Sequence, residues 1–142
     1  MSAATRLVTF VDIDDANDAG PDACDMSVRA RHEAVLGDGR RVVLLDDRGW
    51  SGHGGPPGPG GIWRFETVEG MERTARTVVG PDEPFEDLSR ADMEAGHWDT
   101  LARILRRHGV DVAPAELKAL RHDVELSDRV LARIARARGD TP

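Results

Sequence analysis

Apolar positions repeat with a period near two over the first half of this chain and near 3.6 over the second. Residues 5–13 place Leu7, Val8, Phe10, Val11 and Ile13 without clean alternation, the pattern of a strand buried on both faces. From Met26 to Leu36 the alternation is regular. Met26, Val28, Ala30, His32, Ala34 and Leu36 fall on one face, and Arg29, Arg31 and Glu33 on the other, which predicts a half-exposed strand. Gly37, Asp38 and Gly39 then separate it from Val42–Leu45, so a hairpin into an interior strand is expected. Glycine and proline dominate Gly49 to Gly61 and predict an irregular loop, after which Ile62–Phe65 reads as a fourth strand.

Beyond residue 66 the period becomes helical. Thr67 suits an N-cap, Val68, Met71, Ala75, Val78 and Val79 form one stripe, and Gly80-Pro81 ends the helix. Ser89 with Asp92 three residues on predicts the start of a second helix. Met93, His97, Leu101, Ile104, Leu105 and His108 form its stripe, and Gly109 stops it. Pro114 opens a short third helix to about Arg121, and Ser127 caps a fourth whose Val130, Leu131, Ile134 and Ala135 face inward. Strands in front and helices behind predict an α+β fold, one domain over residues 1–142: an antiparallel sheet of three to four strands followed by three to four helices packed on it.

Only six of the 142 residues are aromatic, so aliphatic side chains must supply most of the core. The net charge of -7 is unevenly spread. Residues 1–100 carry 10 arginines against 20 acidic residues, whereas residues 101–142 carry 9 basic against 6 acidic. A mildly basic helical end facing an acidic body predicts complementary packing within the fold or between copies. No segment is apolar for long enough to span a membrane, no leader pattern opens the chain, and one cysteine, Cys24, makes no internal disulfide. The cytoplasm is the expected setting.

Several motifs come close to known chemistry and miss at named positions. In the acidic stretch from Asp12 to Asp25, Asp15, Asn17 and Gly20 match a calcium loop, but Ala19 and Met26 stand where oxygen ligands are needed. No lysine accompanies the glycines of 49–61, which excludes a phosphate-cradling loop of the P-loop type. Gly49-Trp50-Ser51-Gly52-His53 has a histidine where a nucleophile elbow needs a glycine, and prolines follow where its helix would start. The five histidines show no metal-ligand spacing. Neither catalytic residues, metal nor cofactor is expected.

What remains is a candidate site for a small-molecule-binding domain or minor enzyme at the end of the third strand, Asp46, Asp47, Arg48, Trp50 and His53, with the 49–61 loop as a lid. A second is the arginine flank of the last helix, Arg129, Arg133, Arg136 and Arg138, which could meet nucleic acid although the acidic body opposes it. The runs MERTARTVVGPDEP (71–84) and HDVELSDRVLARI (122–134) resemble segments of small uncharacterised proteins of actinobacteria, a resemblance extending over roughly residues 28–135. It implies a compact domain and brings no activity, and the preference for arginine over lysine suits a GC-rich genome. The function expected first is a non-catalytic interaction or regulatory domain that associates with itself or another protein, Trp50 with Trp63 or an alternating strand forming the contact.

Overall fold

The computed structural model describes residues 3–55 and 58–139, so Pro56 and Pro57 of the glycine-rich loop lie outside the described residues. Three strands, β1 (Ala4–Ile13), β2 (Asp25–Leu36) and β3 (Arg41–His53), form an antiparallel meander. A 3-10 turn, Gly61–Phe65, leads to α1 (Val68–Val78), α2 (Arg90–Arg107) and the short α3 (Pro114–Lys118). The chain then re-enters the sheet as β4 (His122–Leu126), parallel to β1, and closes with α4 (Asp128–Ala137). The sheet order is β3-β2-β1-β4. The α+β class expected from the pattern is therefore present, with one strand parallel rather than all antiparallel.

Local chemistry sets the element ends. The β2–β3 hairpin closes through Gly39, whose φ of 90° suits glycine, and its amide donates to the Leu36 carbonyl. Thr67, Ser89 and Ser127 each cap a helix through the side-chain oxygen, and Ser89 with Asp92 completes a reciprocal capping box. Pro114 occupies the first turn of α3, which ends at Lys118 instead of reaching Arg121.

Two sequence expectations are corrected. Ile62–Phe65 is not a strand: Gly60 and Gly61 both have positive φ, 85° and 51°, which turns the chain into a single 3-10 turn and buries Ile62 and Trp63. The fourth strand is instead the acidic-looking HDVEL, in which His122, Val124 and Leu126 alternate with Asp123 and Glu125 and pair with Leu7–Val11. The 49–61 loop is also shorter than expected, because β3 continues through Gly49 and Gly52 to His53. At Gly49 a β-carbon would stand 2.4 Å from the Val28 carbonyl oxygen, so the residue's bareness is what lets the strands pair there.

The core divides in two. Leu7, Ala34, Leu36, Val42 and Leu44 meet Leu101, Leu105 and Leu117 in one cluster; Val11, Ile13, Met26 and Val28 meet Ile62, Trp63, Met71, Val130 and Ile134 in the other. Each large side chain so buried contributes about 1.5–3 kcal/mol. Residues of the opposite sheet face, among them Val8, Phe10 and Val35, enter neither cluster and lie under a lattice of ion pairs. Glu33, only 6% exposed, stands between Arg31 (3.5 Å) and Arg41 (3.4 Å), and Arg41 reaches on to Glu125 at 3.1 Å. Arg31 also lies 5.3 Å over the Phe10 ring.

Candidate functional site

Of the five residues predicted to bind a ligand, Asp46, Asp47, Arg48 and Trp50 line one open depression and His53 does not join them. Asp46 is exposed and loosely paired with Arg29 at 3.7 Å, while Asp47 stands beside Arg48 at 3.5 Å. Arg48 turns toward the helices, donating to the Val78 carbonyl at 3.3 Å and to Asp82 at 2.9 Å, so it fastens β3 to the end of α1. Trp50, opposite Val28, packs on the second core cluster. His53 hydrogen-bonds Asp25 on the neighbouring strand and lines a different depression from the other four. β3 runs on as an extended strand through His53, so the first part of the segment expected as a lid, Gly49 to His53, is sheet. Trp63 is 0% exposed, which removes it from any surface contact.

The acidic stretch and the arginine flank find each other. Arg129 reaches Asp12 at 3.1 Å and Asp15 at 2.8 Å, Arg133 holds Asp18 through two bonds of 2.9 and 2.8 Å, and Arg136 meets Asp22 at 2.9 Å. Spacing near one helical turn puts these guanidinium groups along one side of α4, facing carboxylates that the loop offers at intervals of three or four. Burial pushes Asp12 up, but hydrogen bonds from Arg129 and Ser127 outweigh it and hold the carboxyl below the ordinary range. Bonding from Arg133 does the same for Asp18. Arg133 also lies 5.6 Å over the buried Trp63 ring.

That middle pair is the least exposed of the three, each side chain at 16%. Arg133→Ala is expected to lower the unfolding free energy by about 2–3 kcal/mol, a partly buried charge being left unpaired. A double-mutant cycle with Asp18→Ala in urea unfolding should return a coupling of about 1–2 kcal/mol, and strict additivity would refute the clamp.

Between the two core clusters runs a polar seam that the sequence did not bring together. Thr9, on β1, is 0% exposed, and its hydroxyl lies 3.0 Å from His32 Nδ1 on β2 and 2.7 Å from His122 Nε2 on β4. One hydroxyl has one hydrogen, so it donates to at most one imidazole and must accept an N–H from the other. The two rings meet edge to face with centroids 4.9 Å apart. Burial, together with His122 and His97, depresses His32 to about 3, and burial with Arg76 nearby lowers His122. His97, on α2, is likewise lowered by burial and by Arg48, and its buried Nε2 has no hydrogen-bond partner among the described residues. With Thr9 and His32 sealed from solvent, the seam does not admit a substrate.

An open, mostly apolar groove of about 670 Å³ lies elsewhere, between α2 and α3. Ala91 and Ala95, one helical turn apart, line it with Gly96, Trp98 and Ala115, and so do Lys118 and Glu94, which pair with each other. Exposed Phe85 (56%) and Leu88 (42%) lie in the segment that runs directly into Ser89, the cap of α2. No group of three or more His, Cys, Asp or Glu among the described residues is placed to hold a metal ion, and no described helix is long and apolar enough to cross a membrane. Comparison with protein-family models, curated proteins and solved structures finds no match, so the functional reading rests on these surfaces and their chemistry alone.

Proposed function

We propose that this chain is a non-catalytic protein-interaction domain that associates with a second copy of itself through the groove between α2 and α3. The observation that carries the reading is the open, mostly apolar groove there, with exposed apolar side chains in the segment that leads into α2. Its lining of Ala91, Ala95, Gly96 and Ala115 is small, which leaves room for a partner's side chain, and Phe85 and Leu88 are exposed in the segment that leads into α2. Trp98 supplies the rigid aromatic area that dominates contact energies. The cytoplasm remains the setting this reading assumes.

The alternatives have less support. A ligand site at Asp46, Asp47, Arg48, Trp50 and His53 has a depression lined by the first four, but Arg48 is already engaged by Val78 and Asp82 and His53 by Asp25. Nucleic-acid binding by α4 would draw on Arg129, Arg133 and Arg136, whose charges are already met by Asp12, Asp15, Asp18 and Asp22. β3 offers a free sheet edge among the described residues, but Asp46, Asp47 and Arg48 on it discourage strand addition.

Sedimentation velocity across a concentration series is the test. A reversible dimer is expected in the micromolar range, and Ala95→Arg should weaken it by about tenfold or more, whereas Val43→Arg, on the opposite sheet face, should leave it unchanged. A chain that stays monomeric to high micromolar concentration, or one whose association responds to Val43 and not to Ala95, would overturn the reading.

A further inference from the structure

We propose that the Thr9–His32–His122 seam is an acid-sensitive latch that holds β4 in the sheet and releases it when its imidazoles gain protons. β4 is the weakest-held strand by construction. It has five residues, stands at the sheet edge and pairs only with β1, whereas β1 and β2 each have neighbours on both sides. Its ties at the surface are the pairs of Asp123 with Arg6 and Arg121, that of Glu125 with Arg41, and a bond from Arg76 to the His122 carbonyl. Within the core the polar side-chain tie is His122 to Thr9.

The surroundings determine what a proton does there. His122 faces Thr9 of β1, His32 of β2 and Arg76 of α1, with Asp123 of its own strand nearby. His32 faces Thr9, the Val8 carbonyl, His122 and, from α2, His97. His97 in turn is near Arg48 of β3, Asp82 beyond α1 and Glu94 of its own helix. Three carboxylates are thus in range, but none hydrogen-bonds a seam ring, and Asp123 is already held by Arg121 at 2.7 Å and Arg6 at 3.2 Å. Protonating both rings would create two like charges with centroids 4.9 Å apart beside a buried hydroxyl. Detaching β4 lets His122 reach water at the cost of one ladder, which is less than any other strand would lose. Release bares the Leu7–Val11 edge of β1.

Hydrogen–deuterium exchange of the full chain from about pH 7 to about pH 5, expressed as protection factors, tests this directly. The amides of β4, and Ser127, whose amide donates to the Val11 carbonyl at 2.9 Å, should lose protection by about tenfold per pH unit for each proton taken up. The β2–β3 ladder, which opens with the whole fold, should stay more protected than β4 throughout this range. His122→Gln, which keeps an amide able to meet Thr9 but takes no proton, should flatten the β4 response. Equal protection of β4 and the β2–β3 ladder throughout, constant protection of β4, or an undiminished β4 response in His122→Gln would each overturn the proposal. The wild-type profile decides between local and uniform opening even if the variant fails to fold.

Discussion

Replacing Gly61 with alanine is expected to lower the unfolding free energy by about 4 kcal/mol, the sum of a left-handed backbone penalty and a collision with fixed backbone. Gly61 has φ 51°, and an added β-carbon would stand 2.1 Å from the Ala23 carbonyl oxygen and 2.6 Å from the Asp22 carbonyl carbon. Neither atom can swing aside as a side-chain tip could. The Ala23 carbonyl accepts from the Ile62 amide, and Asp22 accepts from the Gly60 amide and pairs with Arg136. The 3-10 turn is thereby stitched to the acidic stretch, and a β-carbon on Gly60 would itself press Ala137 of α4 at 3.0 Å. Pushing the turn away also unseats Trp63, the largest fully buried side chain. Gly39→Ala is the control: its φ is 90°, yet nothing lies within 4 Å of the added carbon, so only a conformational cost of about 1 kcal/mol is expected. Urea unfolding of the two variants separates packing from backbone strain, and equal losses would show that the close approach at Gly61 has no energetic weight.

The same turn shows what the sequence conceals. Hydrophobic spacing revealed β1, β2, the hairpin and the starts of α1, α2 and α4, because caps and periodic stripes are local chemistry that a neighbour cannot easily override. Ile62–Phe65 misled because two apolar aromatics two residues apart fit a strand, whereas the backbone is decided by Gly60 and Gly61, whose role depends on the remote segment 22–23. HDVEL, between the expected third and fourth helices, is the opposite case. Its alternation was present, but a five-residue strand with two acids resembles a linker until β1 is known to offer a parallel edge. Missing β4 had a further consequence. His32 was visible as a histidine on an apolar face and His122 only as one beside Asp123, so the hydroxyl of Thr9 between them could not be inferred. The expected lid is shorter than its glycines suggest because Gly49 and Gly52, read as loop residues, instead let β3 run on to His53. By contrast, the charge asymmetry was informative: the basic end does pack on the acidic stretch, arginine by arginine.

Acidification from about pH 7 to pH 4.5 should destabilise the protein through His32 by about 2–3 kcal/mol, and His32→Leu should remove most of that dependence. The unfolded imidazole titrates near 6.5 and the folded one at about 3, since burial and the neighbouring His122 and His97 disfavour its charge. Above 6.5 the ring is neutral in both states and titration leaves stability unchanged. Below 6.5 the unfolded chain takes up a proton that the folded chain refuses, so stability falls by about 1.4 kcal/mol per pH unit until the folded ring also titrates near 3. His97 and His122, lowered in the same direction, steepen the fall. The clamped carboxylates work in a separate window. Asp12, Asp18, Asp22 and Asp123 are held below 3.8, so their contribution is intact at pH 4.5 and is lost only at greater acidity. In His32→Leu the apolar volume is roughly kept, and Thr9 retains His122 as a partner, so the variant should lose only about 1 kcal/mol at pH 7 for the missing hydrogen bond. Its stability curve should therefore start below that of the wild type at neutral pH and cross above it near pH 5–6, because it no longer carries the cost of a buried ring resisting a proton. Urea midpoints measured at half-unit steps would reveal the crossing, and two parallel curves would mean that His32 is not the group that couples folding to acid.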